Sequence, residues 1–255
     1  MFEVFEPLRY KKVTSTWFPN LYGASTFNKK GDEVLRFYNL LEGEEFNDFY
    51  SVRGFIAERL VQNSIKAKNY PYQIFKDTFD IFLYTKDGDN KLYKYFGGLP
   101  DLIYTKDGEE ELLEVKTKEM AKRKFVEENP PQTEIMQGKM LALLRGLKKV
   151  RMTYVLFGEK AERMMYLSMP SPFTVEKAVE EFDKKMPSLK YKEDYDIIVK
   201  DYTINNNELL EQMIKAFKYA DGFRQTLTLP LEDFSDEVRS QIFELEMELE
   251  EDFKK

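Results

Sequence analysis

The sequence predicts an α/β (α+β) fold: a central mixed sheet flanked by helices, followed by a helical C-terminal extension. Three observations predict it. Hydrophobic periodicity switches between helical and extended spacing along residues 51–186. Asp-Gly turns punctuate the extended segments. From about residue 190 the chain passes through a charged, Tyr/Asp/Lys-rich stretch into further helical patterns.

Residues 51–66 place Val52, Phe55, Ile56 and Leu60 on one face of an amphipathic helix. Residues 73–84 and 91–96 read as strands joined at Lys86-Asp87-Gly88. Residues 101–104 and 111–116 read as strands joined at Lys106-Asp107-Gly108. Asp-Gly suits the positive φ angles of a tight hairpin. The string Tyr-Thr-Lys-Asp-Gly recurs at 84–88 and 104–108, and two similar hairpin turns explain it without an internal duplication. Pro130-Pro131 opens a helix over 132–147, where Ile135, Met136, Met140, Leu143, Leu144 and Leu147 recur at helical spacing and Gly146 lies near the end. Residues 150–157 and 163–169 read as strands. Thr174 starts an amphipathic helix carrying Val175, Ala178, Val179, Phe182 and Met186, and helices near 206–220 and 234–253 follow. No Pro/Gly/Ser linker divides the chain, so the expected organisation is a core over 1–190 and a helical extension over 191–255.

The 255 residues contain neither cysteine nor histidine. Without cysteine, disulfides, zinc–thiolate sites, iron–sulfur clusters and cysteine nucleophiles are excluded. Without histidine, Ser-His-Asp triads, imidazole bases and His-ligated zinc are excluded as well. Catalysis must use carboxylates, lysines, tyrosines, serines or a metal, and a metal held by oxygen alone is a hard cation such as Mg²⁺, Mn²⁺ or Ca²⁺. No apolar run approaches the roughly 18 residues of a membrane span, and the first residues are acidic where a signal peptide is basic. A cytoplasmic protein without a membrane partner is expected.

The net charge of −7 disfavours non-specific nucleic-acid binding, but the charge is uneven. Lys116, Lys118, Lys122, Arg123 and Lys124 form one basic stretch, and Arg145, Lys148, Lys149 and Arg151 another, while residues 244–252 are strongly acidic. Lysines beside a reaction centre would neutralise phosphates and make binding steeply salt-dependent. The glutamates interleaved with them equally suit a solvated helix. Trp17 and Phe18 could stack on a base, although core packing is the commoner role of such aromatics.

The densest chemical signal is Gly97-Gly98-Leu99-Pro100-Asp101, followed after twelve residues by Glu114-Val115-Lys116. On a strand, Glu114 and Lys116 project to one side while Leu113 and Val115 pack to the other. Asp101, at the start of the paired strand, can face them. Two facing carboxylates repel unless a cation separates them, which suits Mg²⁺ or Mn²⁺. The lysine would offset charge on a phosphate, or orient and help deprotonate a water. The Val115 carbonyl could be a further metal ligand.

This pattern resembles the PD-(D/E)XK nuclease superfamily, in the branch of lambda exonuclease, the YqaJ-type viral recombinases and the RecB-like nucleases. The resemblance runs in order over roughly residues 13–187. Val13-Thr14-Ser15-Thr16 is similar to the family's Ser-containing entry to its first helix, near the 5′-phosphate contacts. Arg53-Gly54-Phe55-Ile56-Ala57-Glu58 is similar to its Gly-X-X-X-Glu helix, which implies that Glu58 completes the metal site. On the residues alone, Glu58 reads instead as a surface glutamate paired with Arg59 or Lys66. Gln137-Gly138-Lys139-Met140 resembles the glutamine-bearing helix after the Glu-X-Lys strand, with Gln132 as the other candidate.

The resemblance implies a restriction-endonuclease-like core and catalysis by Asp101, Glu114, Lys116 and Gln137. It implies metal held by Glu58, Asp101, Glu114 and Val115, and DNA contacts from Ser15, Arg53, Lys118, Lys122, Arg123 and Lys124. The activity implied is Mg²⁺-dependent exonucleolysis of duplex DNA from its ends, in phage-type recombination or repair within a bacterial or phage-infected cytoplasm. A RecB-like structure-specific or single-strand nuclease shares the same motif order, and a catalytically silent nucleic-acid-binding or assembly protein shares the fold. A single-strand annealing or recombination protein and a second copy of the chain are the expected protein partners. The spacing from Asp101 to Glu114 is longer than in lambda exonuclease, and the cysteines of iron–sulfur relatives are absent.

Overall fold

The computed structural model describes residues 11–41, 48–73, 95–169, 174–227 and 229–240. Its centre is a hairpin of β4 (Leu102–Lys106) and β5 (Glu109–Glu119). Asp107 and Gly108 form the turn at φ 53° and 82°, the left-handed pair that a two-residue hairpin requires. β5 has 11 residues and outruns its partner, for the ladder closes at Leu102↔Leu113. Among the described residues the overhang of β5 pairs only with the parallel strand β6 (Lys149–Phe157), through Glu114↔Met152, Lys116↔Tyr154 and Lys118↔Leu156. The crossover between them carries α4 (Arg123–Glu128) and α5 (Gln132–Leu144). β2 (Tyr72–Gln73) and β7 (Tyr195–Thr203) complete a five-stranded mixed sheet in the order β2-β4-β5-β6-β7.

Alternation along β5 divides the molecule into two hydrophobic layers. Leu112, Met152, Tyr154 and Leu156 face α5, α1 (Trp17–Tyr22) and α8 (Asn206–Thr226). Leu113, Val115, Val155 and Phe157 face α3 (Asp48–Ala67), α6 (Glu159–Tyr166) and α7 (Val175–Lys185). Burying both faces is what drives a central α/β sheet to take helices on each side. α2 (Lys30–Phe37) packs beside α1, and Trp17 meets Phe37 edge-on with ring centroids 5.6 Å apart. Phe18 is fully buried, so these aromatics serve the core. Thr174 caps α7 by accepting a hydrogen bond from the Lys177 N–H at 3.3 Å. Among the described residues no helix is long and apolar enough to cross a membrane.

Several expectations are corrected. Residues 163–169 belong mainly to α6, where Ala161 and Met165 are buried four apart behind the Gly158 N-cap. The apolar run Met164-Met165-Tyr166-Leu167 mimics a strand, yet Tyr166 and Leu167 are exposed. Phe55 lies outside the buried stripe of α3 at 53% exposure. The region after 190 opens with β7, an edge strand of the main sheet, before its helices. α1 begins directly after the Val13–Thr16 segment that is similar to the family's entry to its first helix, whereas α2 matches no predicted element. The strands expected at 73–84 and 91–96 lie almost wholly outside the described residues, as does the 234–253 helix beyond residue 240.

Candidate active site

The overhang of β5 creates the site. Because β4 stops at Leu102, the Val115 N–H has no strand partner on that side. Asp101 supplies one, its Oδ2 accepting the hydrogen bond at 2.6 Å. Two layers of chemistry are thus joined by one contact, since Asp101 immediately precedes β4 and Val115 lies between Glu114 and Lys116. Glu114 is 1% exposed, and the Lys116 ammonium donates to its Oε1 at 2.8 Å. The other oxygen, Oε2, is buried without a hydrogen-bond partner among the described residues. The structure therefore brings Asp101, Glu114, Val115 and Lys116 together in the arrangement their strand parity predicts.

Electrostatics adds Glu58 to this group. Burial pushes the Asp101 acid well above the usual carboxylate range, with the charges of Glu114 and Glu58 adding to the effect; Lys116 and the Val115 N–H oppose it. Burial disfavours the Lys116 ammonium, but Glu114, Asp101 and Glu134 more than compensate, and its pKa lies above the ordinary lysine value. Lys116 is held as a cation. Arg59, one expected partner of Glu58, instead pairs with Asp183 at 3.0 Å.

α5 closes the opposite wall. A Cβ on Gly138 would lie 2.6 Å from Met152 Sδ, 3.1 Å from Val150 Cγ2 and 3.7 Å from Glu114 Cβ, so glycine lets the helix sit close to the motif strands. Gln137 is half-buried on this helix and makes no side-chain hydrogen bond among the described residues; Gln132 is exposed. Glu134, which sequence reasoning missed, pairs with Lys118 one pleat beyond Lys116. Its signal was an acidic residue one turn before Gln137 on the helix that follows the motif strand.

The expected DNA-contact residues are placed unequally. Ser15 is buried, and its N–H bonds to the Gly97 carbonyl at 2.8 Å where β1 (Val13–Thr14) pairs with β3 (Phe96–Gly97). Arg53 is buried and pairs with Glu162 at 3.2 Å. Lys118 is engaged by Glu134, and Arg123 by Asp196 and Glu127. Lys122 and Lys124 project from the surface, at 55% and 82% side-chain exposure.

Gly98 fastens the N-terminal segment to the site. A Cβ there would lie 2.6 Å from both Ser15 Oγ and Leu141 Cδ2. Gly98→Ala is expected to lower stability by about 1–3 kcal/mol through overpacking, and to displace Asp101 three residues on. Thermal denaturation alongside the Gly108→Ala control, whose Cβ meets nothing within 4 Å although its φ is positive, separates crowding from backbone strain.

The resemblance implies a divalent cation, and the residues fit one. Among the described residues Glu114 Oε2 is a buried acceptor without a donor, and burial and then two neighbouring carboxylates, Glu114 and Glu58, raise the cost of ionising Asp101; a cation would relieve both. Among the described residues no three acidic side chains already stand as a ligand cluster. Glu58, Asp101 and Glu114 would have to rotate to converge on a cation.

No protein-family model matches the chain, and no curated protein matches it. Solved structures do. A phage-related exonuclease from Haemophilus somnus 129PT superposes with a TM-score of 0.53 at 12% identity, covering 86% of this chain and 96% of that one. An alkaline exonuclease, LHK-Exo, from Laribacter hongkongensis gives a TM-score of 0.46 at 12% identity, covering 86% and 92%. Its complex with dAMP gives 0.46 at 12% identity, covering 85% and 91%. The chain has the fold of the phage-related exonuclease, as its resemblance to the lambda exonuclease and YqaJ branch implies.

Proposed function

We propose that this protein is a metal-dependent deoxyribonuclease that degrades linear duplex DNA from its ends. The observation that carries the reading is the Asp101–Glu114–Lys116 cluster, with its buried, unpartnered Glu114 oxygen, at the open end of β5. Likeness in fold to a phage-related exonuclease supports it. Mg²⁺, or Mn²⁺ in its place, would be held by Glu58, Asp101, Glu114 and the Val115 carbonyl, and would supply Lewis-acid activation of the attacking water.

The chain's own residues do the rest. Lys116, kept as an ammonium by its carboxylate neighbours, stabilises negative charge that develops on the phosphate. Asp101 fixes the end of β5 through the Val115 N–H and so sets where Glu114 and Lys116 point. Gln137 lies on the helix whose close approach forms the wall beside Glu114, and its amide would be offered to a phosphate oxygen. Ser15 supports the site through the Gly97 backbone; Arg53 braces α3 against Glu162.

Of the expected DNA-contact residues, Lys122 and Lys124 are the best exposed for a phosphate backbone. Replacing both by alanine is expected to weaken duplex binding at every sequence alike and to reduce the slope of log affinity against log salt by about 1–2. Fluorescence anisotropy across a salt series, in Ca²⁺, measures this.

The function itself is tested by incubating end-labelled linear duplex and closed circular duplex with Mg²⁺. Loss of the linear DNA with survival of the circle supports end-directed action. Cleavage of the circle or of single strands supports a RecB-like structure-specific activity at the same site. Binding without cleavage in Mg²⁺ or Mn²⁺ turns the reading to a nucleic-acid-binding or assembly protein. The biological setting proposed is phage-type recombination or repair in the cytoplasm, with an annealing protein or a second copy of the chain as partner.

A further inference from the structure

Beyond the Glu114–Lys116 pair the charges continue to alternate, with Glu134 from α5 and Lys118 from β5 coming next. The alternation follows from matched repeats. One turn of helix rises about 6 Å over four residues, and two residues of strand advance about 6.7 Å. With Gly138 seated beside Glu114, Glu134 one turn earlier comes level with the Lys116–Lys118 segment of the antiparallel-running strand. Glu134 Oε1 is taken by Lys118, and the charge of Glu134 also acts on Lys116. Its Oε2 is buried and has no hydrogen-bond partner among the described residues. The Tyr154 hydroxyl, on the residue paired with Lys116 across the β5–β6 ladder, is likewise buried and unpartnered.

A buried carboxylate oxygen without a donor is costly, and its presence beside a lysine points to a donor that reaches it in another state of the site. The Lys116 ammonium, on which the charge of Glu134 acts, would be that donor. Its ammonium rests on Glu114 Oε1, yet a divalent cation drawn to Glu114 would repel the ammonium. We propose that Glu134 is a positioning residue for Lys116: when a divalent cation takes Glu114, the ammonium turns from Glu114 to the unpartnered Oε2 of Glu134. The transfer rests on the nuclease reading above. It keeps Lys116 charged and paired, and it removes the internal cation that competes for Glu114. Without Glu134, Lys116 either stays on Glu114 and opposes the metal or is left as a buried charge with less compensation.

The test is a double-mutant cycle on Mn²⁺ affinity, measured by calorimetry on the full chain without DNA. Glu134→Gln is expected to weaken Mn²⁺ binding about tenfold in the native background and by less than about twofold in Lys116→Met, because the effect passes through the lysine. Glu134→Asp keeps the carboxylate and is expected to stay within about threefold of native affinity, which separates loss of the acceptor from loss of fold. Equal losses in both backgrounds would show that Glu134 acts through its field or through Lys118, and would overturn the proposal; so would an unchanged affinity in Glu134→Gln. A native protein that binds Mn²⁺ no better than Glu114→Gln would overturn it together with the metal site, whereas tight native binding with an additive cycle overturns the Glu134 role alone.

Discussion

Replacing Glu114 by glutamine is expected to reduce Mg²⁺-dependent hydrolysis of duplex DNA by at least about 10³-fold, while the protein remains folded. Glutamine matches glutamate in shape, so the packing of the side chain behind Gly138 is preserved. What disappears is the negative charge that holds Lys116 at 2.8 Å and the carboxylate oxygen left buried without a donor. Lys116 loses its principal partner, but Asp101 and Glu134 still act on its charge, which limits the structural damage. The measurement is single-turnover cleavage at saturating enzyme, with circular dichroism as the check on folding. A decrease below about tenfold would place the chemistry elsewhere.

Asp101→Asn is expected to split activity from stability. Asparagine can still accept the Val115 N–H through its Oδ1, so the end of β5 stays fastened. It removes a carboxylate whose ionised form is opposed first by burial and then by Glu114 and Glu58. Activity should fall about 10²-fold or more with the loss of the charge that would face the proposed metal. Stability in cation-free buffer should rise. The native pKa of Asp101 lies above that of the unfolded chain, so the folded state holds its proton more tightly and the native protein loses stability as pH rises from the unfolded value through the folded one. Asparagine does not titrate. Its advantage is therefore absent below about pH 4, grows with rising pH, and is complete above the native pKa. A rise in thermal midpoint on the order of 2–4 °C near neutrality corresponds to about 1 kcal/mol in a protein of this size. Melting curves in chelator from pH 4 to 8 measure it; a destabilised variant at pH 7 would mean that attraction between Asp101 and Lys116 outweighs the repulsion.

Where a single physical signal dominated, the sequence was legible. The Asp107-Gly108 turn, the parity that sets Glu114 and Lys116 against Leu113 and Val115, and the helix after Pro131 could each be read from local chemistry. The placement of the candidate site was legible for the same reason, because most of it lies on one hairpin. Glu58 was harder. Its spacing in α3 shows only a polar residue at the margin of an apolar stripe, and its part in the site appears through its charge acting on Asp101 from a different layer.

The misreadings came from weak or contradictory local patterns. Met164-Met165-Tyr166-Leu167 has the composition of a strand, but Ala161 and Met165 bury at helical spacing. β7 mixes Asp196, Lys200 and Asp201 with Ile197, Ile198 and Val199; as an edge strand it needs no continuous apolar face. Arg53 illustrates a different limit. A basic residue beside a motif glutamate suggests a phosphate contact, whereas its burial against Glu162 depends on α6, more than 100 residues away. Glu134 was hidden because its partners, Lys116 and Lys118, come together with it only when α5 packs back on β5.

The most direct test of the proposed hydrolytic centre is cleavage of one labelled linear duplex by native protein and Glu114→Gln, each with Mg²⁺ and with chelator. Degradation by the native protein in Mg²⁺ alone, lost on chelation and lost in Glu114→Gln, is the predicted result. Equal degradation by native and variant protein, or cleavage that persists in chelator, would contradict a metal-dependent site built on Asp101, Glu114 and Lys116.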